Sequence, residues 1–387
     1  MFTLGVALML SLLPHGQSGD ARSAYDEGVE RYNEASYEEA VRLLELAARN
    51  EPRVPDYRYH LGLAYLKTGR AKEAASELEA VIGMMGMRRE TRLKEPTVLL
   101  QAAIAYLRAG NLRAARQRVE TAIEREVSDP DAFYVLGLIL REEGAYEEAV
   151  KQFEMTLEVD RDHPEANVAL AEWLETQGEL EAARENFRHA SHGTTDNFEI
   201  LMALGASSFR LGALEDAEDA FFQALSARPG DVEAGFNLGT VRLARGDLGG
   251  AVTVLRPLES ASPAHDQAAF NLAVALQQQD DWLAARAVLE RLVARAPDFT
   301  GASFSLGLSA EAAGDDEAAE RSYRASLLSE PEFVPAYLNL AALLERSSRV
   351  EEAVAVLRST LELSLDEEHE RLVQDALAAL GAVPGGF

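Results

Sequence analysis

Residues 130–163 read PDAFYVLGLILREEGAYEEAVKQFEMTLEVDRDH, and this stretch decides the fold. Its first part carries apolar residues at helical spacing around the pair Leu136-Gly137, the pattern of a helix with one buried face. Gly144 follows, and glycine after a helix supplies the left-handed backbone that ends it. The second part sets Ala149 and Phe153 four residues apart, on one face of a second helix. The stretch is therefore a helix pair joined by a tight turn.

The pair recurs outward in both directions. Ala40 and Ala74 lie 34 residues apart, and Ala115, Ala149, Ala183, Ala217, Ala251, Ala285, Ala319 and Ala353 follow at a constant 34. Four residues after each alanine stands a large apolar side chain, from Leu44 through Phe153 and Phe221 to Tyr323 and Leu357. Twelve residues before it stands only glycine or alanine, from Gly28 to Ala341. Glycines mark seven of the turns (Gly69, Gly110, Gly144, Gly178, Gly212, Gly246, Gly314), and Pro52, Pro229, Pro263, Pro297 and Pro331 close five repeats. Proline cannot continue a helix, because it lacks the amide donor and clashes with the previous turn. The small columns have a packing cause: where two helix backbones approach closely only a minimal side chain fits, and the large residue fills the space beside it. Ten repeats result, over residues 21–363.

In period, Leu-Gly pair, alanine, following large residue and terminal proline, the chain resembles the tetratricopeptide repeat family. One column departs from the family's pattern. Its early aromatic position holds Ala24, Arg58, Phe133, Asn167, Gly235, Ala269, Ser303 and Tyr337 among others, and never Trp. The resemblance implies an all-α fold: a right-handed superhelical solenoid of antiparallel helix pairs, with first-helix side chains lining a concave groove. Each repeat then contacts mainly its neighbours, and the ends need a polar-faced cap. Residues 364–387 supply a capping helix and a loose tail. The cap reads as Asp366 to Leu380, with an acidic first turn and apolar Leu372, Val373, Leu377 and Leu380. Acidic residues suit the positive end of the helix dipole.

Three segments break the regularity. Phe2–Leu13 is an apolar run too short to span a bilayer, which takes about 18 residues. It has the size of a signal-peptide core, although no Lys or Arg precedes it, so residues 1–20 are read as a signal peptide or a disordered N-terminus. The expected location is periplasmic or secreted, with the cytoplasm as the alternative. Second, the spacing between Ala74 and Ala115 is 41, and the seven extra residues fall in a basic insertion at 85–96. Its Arg88, Arg89, Arg92 and Lys94 make a docking loop for an acidic partner, or a solvated insertion without function. Third, Pro257 falls inside the expected second helix of the seventh repeat, which should end early or kink there, with a hinge between the first six repeats and the last four as one outcome.

Composition narrows the function classes. The 387 residues carry 37 basic and 65 acidic side chains, a net charge of −28. A field of that sign repels phosphate backbones, so nucleic acid and strongly anionic membranes are excluded as partners. Cysteine is absent, which removes disulfides, thiol catalysis and thiolate metal sites. His189 and His192 have a metal-compatible spacing with no third ligand. Gly246–Gly250 lacks the preceding strand and the following Lys-Ser or Lys-Thr of a phosphate loop. No catalytic residues, metal ligands or cofactor site emerge, and the chain is read as a non-enzymatic scaffold.

Positions 2, 5, 9 and 12 of each first helix share a face. In the last four repeats it presents Phe236-Asn237, Phe270-Asn271, Phe304-Ser305 and Leu338-Asn339. A carboxamide can donate to a peptide carbonyl and accept from a peptide amide at once. These eight residues are the candidate groove for proteins or extended peptides, with the plain alternative that the phenylalanines pack on their neighbours. Tyr25, Tyr59, Leu100 and Tyr134 hold the same column earlier, and Glu172 and Glu175 make the middle suited to basic segments. The alternatives to an exported peptide-binding scaffold are a cytoplasmic adaptor that regulates a partner enzyme and a periplasmic protein that binds glycan or cell wall.

Overall fold

The computed structural model describes residues 17–85, 94–126, 128–194, 197–261 and 265–382, and every regular element among them is an α-helix. Two compact bodies divide the chain, Met1–Thr195 and Asp196–Phe387. The first holds α1 (Gln17–Asn33), α2 (Tyr37–Asn50), α3 (Pro55–Lys67), α4 (Ala71–Met85), α5 (Glu95–Arg108), α6 (Leu112–Arg125), α7 (Pro130–Glu142), α8 (Tyr146–Val159), α9 (Pro164–Gln177) and α10 (Leu180–His192). The second holds α11 (Phe198–Arg210), α12 (Leu214–Ala227), α13 (Val232–Ala244), α14 (Leu248–Ala261), α15 (Asp266–Gln278), α16 (Trp282–Arg295), α17 (Ala302–Ala312), α18 (Asp316–Ser329), α19 (Val334–Arg346), α20 (Val350–Thr360) and the cap α21 (Glu367–Ala379). Within each body every helix packs on the one before and the one after it, as stacked helix pairs require.

The three sequence columns are the seams of this stack. All ten column alanines are buried, none more than 2% exposed. Where the small column is glycine, the large column lies directly over it. A Cβ built on Gly137 would come 2.5 Å from the Phe153 ring, and one on Gly307 would come 2.5 Å from Tyr323. The missing side chain thus lets a ring or a leucine sit against the helix backbone. Leu44, Leu78 and Leu255 are fully buried there, each worth about 1.5–3 kcal/mol relative to exposure.

The turns are equally uniform. All seven turn glycines have positive φ, and the other three repeats place Ala35, Asp280 and Ser348 in the same conformation at the same register. In the fourth repeat Ala145 N–H donates to the Leu140 carbonyl at 2.9 Å and Gly144 N–H to the Arg141 carbonyl at 3.0 Å. That pair of bonds satisfies the last carbonyls of α7.

The irregular segments correct several expectations. Helix α1 begins at Gln17, four residues before the expected start of the first repeat. Pro257 ends nothing: α14 runs through it to Ala261. Pro257 and Thr253, whose carbonyl loses its donor, are both exposed, so water can take that carbonyl. The boundary between the bodies lies at Thr195, between the fifth and sixth repeats, and not at Pro257. In the cap, Asp366 accepts from His369 N–H at 2.8 Å, and Val373 and Leu377 are buried, whereas Leu372 is 44% exposed and faces away from the core. Residues 86–93, with Arg88, Arg89 and Arg92 of the proposed docking loop, and residues 1–16 lie outside the described residues; Lys94 is exposed and precedes α5.

Candidate partner-binding face

The residues chosen for the groove come together along consecutive first helices of the C-terminal body, and all are at least half-buried. Each phenylalanine meets an aromatic ring that lies shortly before the next first helix. Phe236 packs on His265 with ring centroids 4.9 Å apart, Phe270 on Phe299 at 5.4 Å and Phe304 on Phe333 at 5.0 Å. In the N-terminal body Tyr134 does the same with His163 at 5.2 Å. The aromatic column therefore ties these four repeats to the ones that follow, with the rings only partly buried. The signal for this was in the sequence, as four aromatic pairs each 29 residues apart.

The amides have internal partners too. Asn271 donates to Thr240 Oγ1 at 2.9 Å and accepts from Gln267 at 3.3 Å. Ser305 is buried, and its carbonyl accepts from Gln277 and from Ser309. Asn339 is hydrogen-bonded to the Tyr323 hydroxyl and stands on the wall of a cavity of about 530 Å³ with Trp282, Leu308, Glu311, Asp316 and Arg346. Glu311 is held on two sides there. It accepts from the Tyr323 hydroxyl at 2.6 Å and pairs with Arg346 at 2.7 Å. Burial first, then the hydrogen bond and charge of Glu311, push the Tyr323 pKa far up, so this phenol stays a donor.

A second cavity of about 530 Å³ occupies the equivalent register of the N-terminal body, lined by Arg141, Tyr146, Glu147, Ala169, Glu172 and Trp173 among others. Tyr146 and Trp282 are the corresponding first residues of α8 and α16. Each cavity contains one of the chain's two tryptophans. Sequence reasoning passed over both aromatic positions, although Tyr37, Tyr146 and Trp282 already shared one register.

The weak early column also has a structural consequence. Arg58, where the family pattern has an aromatic, donates to the Pro52 carbonyl at 2.8 Å and pairs with Glu77 at 2.5 Å beside a polar cavity of about 280 Å³. Next to it Tyr65 donates to Glu45 at 2.8 Å under the Arg70 guanidinium. Burial first, then Glu45, push this phenol up to about 12. These are bonds between neighbouring helices that replace apolar packing.

His189 is held by Asp162 at 2.9 Å. No group of three or more His, Asp or Glu side chains among the described residues is placed to hold a metal ion. No helix among them is long and apolar enough to cross a membrane.

Two sequence models, both of the tetratricopeptide repeat, match the chain, one at residues 7–84, 100–158, 146–194, 177–232 and 304–366, the other at 242–303. The chain belongs to the tetratricopeptide repeat family. No curated protein sequence matches it. Solved structures similar to this repeat protein include PilF of Pseudomonas aeruginosa, 19% identical over 57% of this chain and 96% of that one, TM-score 0.44. YrrB, described as a TPR protein with an unusual peptide-binding site, is 21% identical over 48% of this chain and 95% of its own, TM-score 0.43. Yeast Tom70 is 13% identical over 94% and 96%, TM-score 0.38.

Proposed function

We propose that this repeat protein is a protein–protein interaction scaffold that holds extended segments of its partners along the first-helix face of each body. Family membership implicates protein–protein interaction. The observation that carries the finer reading is the pair of open cavities in equivalent register, each combining an aromatic wall with polar side chains. Such a mixture suits peptide side chains and backbone amides together. Asn339 and Asn237 serve as polar contacts, and the half-buried phenylalanines as apolar ones. The same reading places the scaffold outside the cytoplasm, on the strength of the apolar run before residue 14. N-terminal sequencing of the protein from its native cell checks that point, with an intact Met1 against it.

The surface assignment is tested by photo-cross-linking in the native cell. Benzoylphenylalanine replaces Ala206 or Ala342, both exposed on first helices, or Phe222, 53% exposed on a second helix. Adducts to partner proteins are expected from the first two positions and not from the third. Adducts from position 222 alone would refute the assignment.

A further inference from the structure

We infer that the cavity of the N-terminal body is a socket for the cationic side chain of a lysine or arginine in a basic peptide segment. The inference rests on the reading of the first-helix face as a peptide surface and names what one part of it selects.

The lining carries two carboxylates, Glu147 and Glu172, against one guanidinium, Arg141. Among the described residues none of the three forms an ion pair, whereas Glu311 and Arg346 of the second cavity pair with each other. Glu147 and Glu172 are exposed at the mouth. Tyr146, 58% exposed, and Trp173 supply aromatic surface between them. A cation beside the face of an indole or phenol is attracted by the ring quadrupole, and the carboxylates can accept from its N–H groups. Ala169, buried beneath, leaves room for an aliphatic stem. The guanidinium of Arg141 is then available to a backbone carbonyl next to the basic residue. The surrounding charge of −28 brings basic segments to this surface and repels acidic ones.

The chain's two tryptophans make the test direct. Trp282→Phe leaves Trp173 as the sole tryptophan, a fluorescence reporter within the socket. The full-length variant is titrated with the blocked peptide (Gly-Lys)4 and with its neutral isostere, the norleucine peptide (Gly-Nle)4. The lysine peptide is expected to shift Trp173 emission to saturation, and the norleucine peptide to bind at least about tenfold more weakly. Glu147→Gln with Glu172→Gln should cost the lysine peptide a similar factor. Glu124→Gln with Glu158→Gln removes the same charge from exposed positions of the same body that line no socket, and should leave binding nearly unchanged. Equal losses in the two double variants would reduce the effect to diffuse attraction and overturn the inference. Equal binding of the two peptides, or an unresponsive Trp173, would overturn it as well. If calorimetry still detected peptide binding in that last case, the first-helix face would keep its role and only the socket would be lost.

Discussion

The two bodies share a framework and differ in what they show the solvent. Gly137 under Phe153 in the first and Gly307 under Tyr323 in the second are the same contact, with the same 2.5 Å limit on any added carbon. Tyr146 and Trp282 open equivalent cavities. Yet in the first cavity Glu147 and Glu172 form no ion pair among the described residues, whereas the second locks Glu311 between Tyr323 and Arg346. Column by column, packing dictates the seam residues, and the face residues vary. Fold and binding chemistry are thus written in separate positions of the same 34-residue unit, so one can change without the other.

The shared framework makes the largest prediction. Gly137→Ala and Gly307→Ala should each destabilise their own body, by about 3 kcal/mol, the upper end of what overpacking costs. The ring above has no flexible end to move, since Phe153 and Tyr323 are buried. Denaturation followed through Trp173 in a Trp282→Phe background reads the first body, and through Trp282 in a Trp173→Phe background the second. A variant in one body that left its own tryptophan's midpoint unchanged would break the equivalence.

A smaller effect of opposite sign is expected at the turns. Ala35 and Ser348, one in each body, hold left-handed backbone that glycine provides in seven other repeats. Ala35→Gly and Ser348→Gly should each stabilise by about 0.5–1 kcal/mol, the relief of Cβ crowding less glycine's added chain entropy. Thermal melts of the two variants check this, and a loss in either would show that the alanine or serine side chain makes a contact worth more than its strain.

What the sequence makes legible follows the same division. The period, the ten alanines and the glycine turns could be read directly, because close backbone approach and positive φ each admit few residue types. The cap was legible except for Leu372, since helical spacing locates a face only to within one position on either side of its centre. Of the outcomes open at Pro257, the early end does not occur, because the carbonyl freed on the exposed side of the helix can be taken by water. The cavities were not legible. Their walls combine α7, α8 and α9, or α16 through α19, and no single column carries the signature. The asparagines drew attention by their repetition, but a repeated amide satisfies a neighbouring repeat as readily as a ligand, as Asn271 does with Thr240.

The finest contrast between the bodies lies in two histidines three repeats apart. His163 and His265 precede α9 and α15, and each accepts through Nδ1 from an amide of the helix it caps, Ala166 N–H at 3.3 Å and Ala268 N–H at 3.1 Å. Each also lies against the aromatic ring of the preceding repeat. His163 has a carboxylate at each ring nitrogen: Nε2 is 3.0 Å from Asp131 and Nδ1 is 3.5 Å from Glu165, positions that hold Glu233 and Gln267 in the second body. Burial lowers the His163 pKa, but the bond to Asp131 and the charges of Glu165, Asp131 and Asp160 outweigh it, and the net shift is upward. The Asp131 carboxyl moves down in return, chiefly through its hydrogen bond to His163. The neutral ring is the one that accepts from Ala166; protonation gives up that bond, and the raised value means that the charged ring's contacts with the carboxylates outweigh the loss and stabilise the fold. That contribution is complete below about pH 6.5, the ordinary value, and is lost as pH rises through the higher folded-state value. His163→Asn keeps an acceptor for the α9 amide and removes the titration. Melting temperature followed from pH 5.5 to 8 should therefore fall less steeply in His163→Asn than in the wild type, the two curves drawing together towards the alkaline end. Parallel curves would mean that the carboxylates around His163 do not act on its charge, and would erase this distinction between the bodies.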